Sequence, residues 1–149
     1  MAKVEIKGGD LQGLEKLIKQ LSSRKGLRVG ILEGATNSVT GEKIAPYAAA
    51  NEFGAPGIPS RPFMRSTIAI KSGTWAKGLA RMLQAGRPAE QALELLGNRM
   101  AEDVQETIKS NMPPPNSPAT RERKNAHGAG KGTLIDTGSM LRAVDYEVK

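Results

Sequence analysis

AEQALELLGNRMAEDVQETIKSN, residues 89–111, decides how the rest of the chain must be arranged. Ala92, Leu93, Leu96, Met100, Val104 and Ile108 recur at threes and fours, while Glu90, Glu94, Glu102, Asp103 and Glu106 fall mostly elsewhere. That spacing predicts an amphipathic helix of about six turns, with one apolar face to bury. Pro88 suits its start, because the amide that proline lacks has no partner there anyway. Pro113, Pro114 and Pro115 end it, since proline cannot donate and restricts the residue before it.

Working back toward the N-terminus, residues 63–85 read as a second helix, weakened by Gly73 and Gly78. Each glycine costs about 1 kcal/mol against alanine in such a setting. The preceding GAPGIPSRP, residues 54–62, has three prolines and two glycines, which favours an extended strap of fixed φ. Residues 45–53, APYAAANEF, predict a short helix with Pro46 in its first turn, and residues 34–43 a polar turn or mobile loop. LRVGILE, residues 27–33, is β-rich, with Leu27, Val29 and Ile31 on one face. At the very start, residues 3–7 alternate like a strand. Asp10 then caps a helix whose stripe is Leu11, Leu14, Leu17, Ile18 and Leu21, with Gly26 as its stop.

On the other side of the long helix, residues 113–132 show no apolar period and read as a flexible Pro/Gly/basic loop. Thr137 can cap a short turn through Leu141, and residues 143–149 alternate like an edge strand. The whole predicts one α+β domain over residues 1–149. Its small mixed sheet comes from strands near both chain ends, packed by a short N-terminal helix and the long amphipathic helix.

Composition narrows the chemistry. The 149 residues include no cysteine, which excludes disulfides, thiol catalysis and thiolate metal sites. His127 is the single histidine, so a multi-histidine metal site cannot be built within one chain, and its place in the loop, where nothing holds one tautomer, reads as a solvated histidine rather than a triad member. Asp10, Glu33 and Asp136 could act as general acids, but no spacing pairs them, and carboxylates at caps and strand ends are usually structural. The run GAGKGT, residues 128–133, fails as a phosphate loop. Asn125 stands where the first glycine belongs, and Gly132 follows Lys131 where a hydroxyl is needed. A dinucleotide fingerprint fails too, with Thr133 at its third glycine. No catalytic residue, cofactor, metal or small-molecule substrate is expected. The longest apolar run, residues 44–50, falls far short of the ~20 that span a bilayer, so no membrane partner is expected and the product reads as soluble.

Charge is the more telling feature. The net +7 conceals a block, residues 61–87, with six cations and no acid: Arg61, Arg65, Lys71, Lys77, Arg81 and Arg87. Residues 88–112 follow with five acids and two cations. Two readings stay open. The cations touch duplex DNA through its phosphates, or they pair with the acidic helix of the same or a neighbouring copy. The strap is open in the same way. Being stiff, it loses little entropy on docking and suits a subunit contact, yet it also suits packing on its own core.

The order YAAANEFGAPGIPSRPFMRSTI (residues 47–68), a long amphipathic helix, a polar stretch and LIDTGSMLRAVDYEV (residues 134–148) resembles the tail-completion proteins of long-tailed bacteriophages. These belong to the head–tail joining and virion-morphogenesis group. The resemblance implies a small α+β subunit that forms a hexameric ring at the neck, completes the tail and joins it to the head. Its partners would be sister copies, adjacent neck or connector proteins, the tail tube or terminator, and genomic DNA passing non-specifically through the lumen. It would be assembled in the host cytoplasm and reside in the virion. No catalytic residue carries over. The matching positions are Tyr47, Glu52, Phe53, Gly54, Pro59, Arg61, Pro62, Phe63, Asp136, Thr137 and Gly138, which the resemblance marks as fold and assembly positions. Arg65 joins the interface candidates, while Lys71, Lys77, Arg81 and Arg87 are candidates for lumen DNA or charge pairing. A tail terminator or another neck ring protein is the neighbouring alternative, and a basic DNA-binding module the more distant one.

Overall fold

The computed structural model describes residues 25–126, 132–135 and 138–149. The expected strand at 3–7, the Asp10-capped helix, His127, Asp136 and Thr137 lie outside the described residues. The elements run β1 (Leu27–Ile31), α1 (Ile44–Phe53), α2 (Phe63–Gln84), α3 (Ala89–Lys109), α4 (Pro118–Ala126), α5 (Ser139–Arg142) and β2 (Val144–Val148). The fold is α+β, and its sheet is formed by strands near the two chain ends. Among the described residues that sheet is a two-stranded antiparallel pair, with Leu27 opposite Val148 and Ile31 opposite Val144.

α3 is the element everything else packs on. β1 and β2 cover one side of it and α2 another. Its buried positions Gly97, Ala101, Val104 and Ile108 follow the three-and-four spacing, Ala92 is buried near its start, and Asp103 is buried on the side of α2. Glu90 in its first turn and Lys109 in its last oppose the charges that the backbone dipole leaves at the ends. Gly97 is required: a Cβ there would fall into the Tyr146 ring, so glycine lets β2 lie close against the helix. Ala101, Val104 and Ile108 join Ile44, Ala48, Phe63, Leu134, Met140 and Val144 in one apolar cluster. Strands alone could not stand here, because a single hairpin is marginal in water without a helix beneath it.

After a turn in which Gly86 adopts φ 81°, a conformation that β-carbons resist, α3 runs back along α2. Across their contact Thr67 Oγ1 lies 2.6 Å from Thr107 Oγ1, and Trp75 Nε1 donates to Asp103 Oδ2 at 2.7 Å.

Residues 118–126 correct the expectation of an unpatterned loop from 113 to 132. They form α4, a helix organised by polar contacts. The Ser117 hydroxyl accepts from the Thr120 amide at 3.2 Å, Pro118 occupies the first turn, and Lys124 is buried. The Lys124 ammonium donates to the carbonyls of Gly132 (2.9 Å), Thr133 (3.4 Å) and Ile135 (2.5 Å). This ties α4 to the segment that places Leu134 in the core. Ser-Pro at the start of a helix is the available signal, and the absence of an apolar period hides it.

Candidate assembly surfaces

The corner between α1 and α2 collects most of the residues singled out in the sequence. α1 ends before Gly54, whose φ of 84° strains any side chain and whose added Cβ would crowd Ser60 N at 3.3 Å. The chain then folds back through a tight turn at Ala55–Ile58 and returns along α1. The Arg61 amide donates to Asn51 O at 2.6 Å, and the Ser60 hydroxyl to Glu52 O at 2.9 Å.

Glu52 is the pivot. Its side chain is 7% exposed, and its carboxylate accepts from the amides of Met64 (2.8 Å) and Arg65 (3.1 Å) in the first turn of α2. A residue of one helix thereby caps the next, satisfying amides that have no intrahelical partner and opposing the positive end of the dipole. Arg65 Nε donates to Glu52 Oε1 at 2.9 Å and its Nη2 to Glu52 O at 2.8 Å. Held in this way, the guanidinium lies 5.0 Å from the centroid of the Phe53 ring, a cation–π contact. Phe53 itself is 68% exposed.

The strap therefore has two sides. Arg61 is buried, with Nε donating to Pro114 O (2.8 Å) and Nη2 to Pro115 O (3.3 Å), and Phe63 sits in the core cluster. Pro62 precedes the first residue of α2. Phe53 and Pro59 face outward. Of the two readings open for the strap, packing on its own core holds for Arg61 and Phe63. A groove of about 420 Å³ runs between the strap and α4, lined by Tyr47, Ile58, Pro59, Pro114, Pro115 and Arg123 among others.

The basic block is dispersed by the fold. Arg61 and Arg65 belong to the corner. Lys71 Nζ lies 3.6 Å from Asp103 Oδ1, and Arg99 Nη2 lies 3.1 Å from the same oxygen, neither with the alignment of a hydrogen bond. Asp103 is 2% exposed and lies inside the α2–α3 contact beside two cations and the Trp75 indole. Lys77 and Arg81 are exposed and enter none of the ion pairs among the described residues. Arg87 is exposed in the turn before α3. Gly138 precedes α5 with φ 76°, and a Cβ there would meet the Arg142 guanidinium. Asp103 and Lys124 are buried charges that sequence reasoning missed. Trp75 and Lys71 reach Asp103 from α2 and the Lys124 partners lie in residues 132–135, so of these contacts only Arg99–Asp103, at i,i+4, has a local spacing.

At the outer edge of the sheet, the Tyr146 hydroxyl donates to Glu94 Oε2 at 2.8 Å and accepts from Asn98 Nδ2 at 3.0 Å. The hydrogen bond to Glu94 raises the phenol above its ordinary value of 10.0, with desolvation and the Glu94 charge adding to it. Among the described residues no group of three or more His, Cys, Asp or Glu could hold a metal ion, and no helix is long and apolar enough to cross a membrane. No family model, curated protein or solved structure matches this chain.

Proposed function

We propose that this chain is a non-enzymatic structural subunit of a long-tailed bacteriophage or prophage particle. It completes the tail and joins it to the head at the neck, as a homomeric hexameric ring around the DNA passage. The observation that carries this reading is α2, a helix of 22 residues that buries only Phe63, Thr67 and Trp75. Ile68 and Ile70 stand 45% and 76% exposed along it, and Phe53 is fixed in the open beside its first turn. A helix packed on one flank, with apolar residues left in water, suits a subunit completed by its neighbours. The resemblance of residues 47–68 and 134–148 to tail-completion proteins supplies the biological setting.

The test is mass and position. Light scattering on the purified protein should return a closed oligomer, and labelled protein should localise to the head–tail junction of particles. Density seated on the last ring of the tail tube, on the tail side of the junction, would favour a terminator. A protein absent from particles that binds duplex DNA as a monomer, with a steep salt slope, would replace the reading by a DNA-binding module.

A further inference from the structure

α2 carries four cations and no carboxylate, while α3 carries five carboxylates and two cations. Helices of opposite charge packed side by side ought to neutralise each other across their contact, and here they largely do not. Among the described residues the ion pair that crosses it is Lys71–Asp103. Of the others, Arg65 is held by Glu52, Glu90 by Lys25 and Glu94 by the Tyr146 hydroxyl, and exposed charges outside the contact fall in two matching rows. On α2, Ile70, Lys77 and Arg81 are exposed and fall at i, i+7 and i+11, one stripe of a helix. On α3, Leu95, Glu102 and Glu106 are exposed at the same spacing. Lys77, Arg81 and Glu106 enter no ion pair among the described residues, and Glu102 reaches only Arg99 of its own helix, at 3.9 Å. Arg99 is itself drawn to Asp103 at 3.1 Å. Lys109 lies one turn past Glu106, at the end of the acidic row.

We propose that a second copy of this chain docks on these rows, the Ile70–Lys77–Arg81 stripe of one copy against the Leu95–Glu102–Glu106 stripe of another. This rests on reading the chain as a self-assembling subunit, and it names the surfaces that do the assembling. Each row places an apolar residue in line with two charges opposite in sign to those of the other row, and Arg99, on the α3 stripe between Leu95 and Glu102, is drawn aside to Asp103. Duplex DNA fits less well: phosphates gain nothing from an isoleucine 76% exposed at one end of the row, and the acidic row would repel them. Arg65 is excluded from the contact's charge pairing because Glu52 already holds it. Complementary rows of this kind mainly select the partner and set its approach, and like charges brought together there oppose association strongly.

A charge exchange in the full-length protein tests this. K77E/R81E makes both rows acidic, and E102K/E106K makes both basic. Each variant alone should associate at least about tenfold more weakly than the unmodified protein in sedimentation at moderate salt. An equimolar mixture of the two should recover association as a mixed assembly, as should a single chain carrying all four substitutions. Recovery on mixing also shows that both variants are folded. An unmodified protein that assembles and is indifferent to either exchange overturns this contact and leaves the ring reading standing. An unmodified protein that stays monomeric overturns both. Loss of duplex binding in K77E/R81E with association untouched reassigns the basic row to nucleic acid.

Discussion

α2 and α3 are neighbours of nearly equal length, 22 and 21 residues, yet they hold their places in opposite ways. α3 lies between the sheet and α2, so it must be apolar over a wide arc, and six of its residues are buried. α2 is touched along one flank and buries three. Its position is set by a few directed contacts: the Glu52 carboxylate at its first turn, the Thr67–Thr107 hydroxyl pair, and Trp75 on Asp103. One helix is fixed by area, the other by specific bonds. Helices of the second kind tolerate glycine and a charged, open face, which is what α2 has.

The contrast can be broken most forcefully in the core. Ile108 is fully buried, and Ile108→Ala should cost about 2–5 kcal/mol in denaturant unfolding. Ile70→Ala, the same change on the open face of α2, should stay within about 0.5 kcal/mol. Equal losses would mean that the α2 face is covered within the monomer.

A glycine-to-alanine pair sharpens the contrast at intermediate scale. Gly97→Ala places a methyl in the Tyr146 ring and should destabilise by about 1–3 kcal/mol despite alanine's better helix propensity. Gly73→Ala meets nothing within 4 Å and should stabilise by about 0.5–1 kcal/mol. Thermal melts of the two variants should move in opposite directions, and a shared direction would contradict the asymmetry.

The smallest effect lies where α3 meets the sheet edge. Tyr146 should ionise above 10.0, read by tyrosinate absorbance in a Tyr47→Phe background. Glu94→Ala should bring the midpoint down, because the carboxylate that accepts from the neutral phenol and repels the phenolate is gone. Since the folded value is the raised one, any stability from this bond is complete below pH 10.0 and is lost as pH climbs through the raised midpoint. A midpoint unmoved by Glu94→Ala would remove the bond from solution.

Local periodicity makes several elements readable from the chain alone. The Ala92-to-Ile108 spacing announces α3, alternation announces β1 and β2, and the prolines mark where helices begin and stop. Helical α2 is legible too, though its two glycines argue against it. α4 is not, because its order comes from the Ser117 cap and the Lys124 ammonium rather than from an apolar stripe. The assembly candidates are legible as residue types and not as roles. Arg61 and Arg65 look alike in a basic block, yet one is buried under proline carbonyls and the other is stacked on Phe53.

Apolar spacing and backbone-restricting residues act within a few positions along the chain, so the primary structure alone determined α1, α2, α3, the two strands and the imbalance of charge between α2 and α3. Which charges are neutralised and which stay outside is a matter of distance between residues far apart in sequence. Lys71 with Asp103, Glu52 with Arg65 and Gly97 with Tyr146 are such pairs. Coulomb attraction and steric contact depend on separation in space, and only the packing of helix on helix and helix on sheet sets that separation.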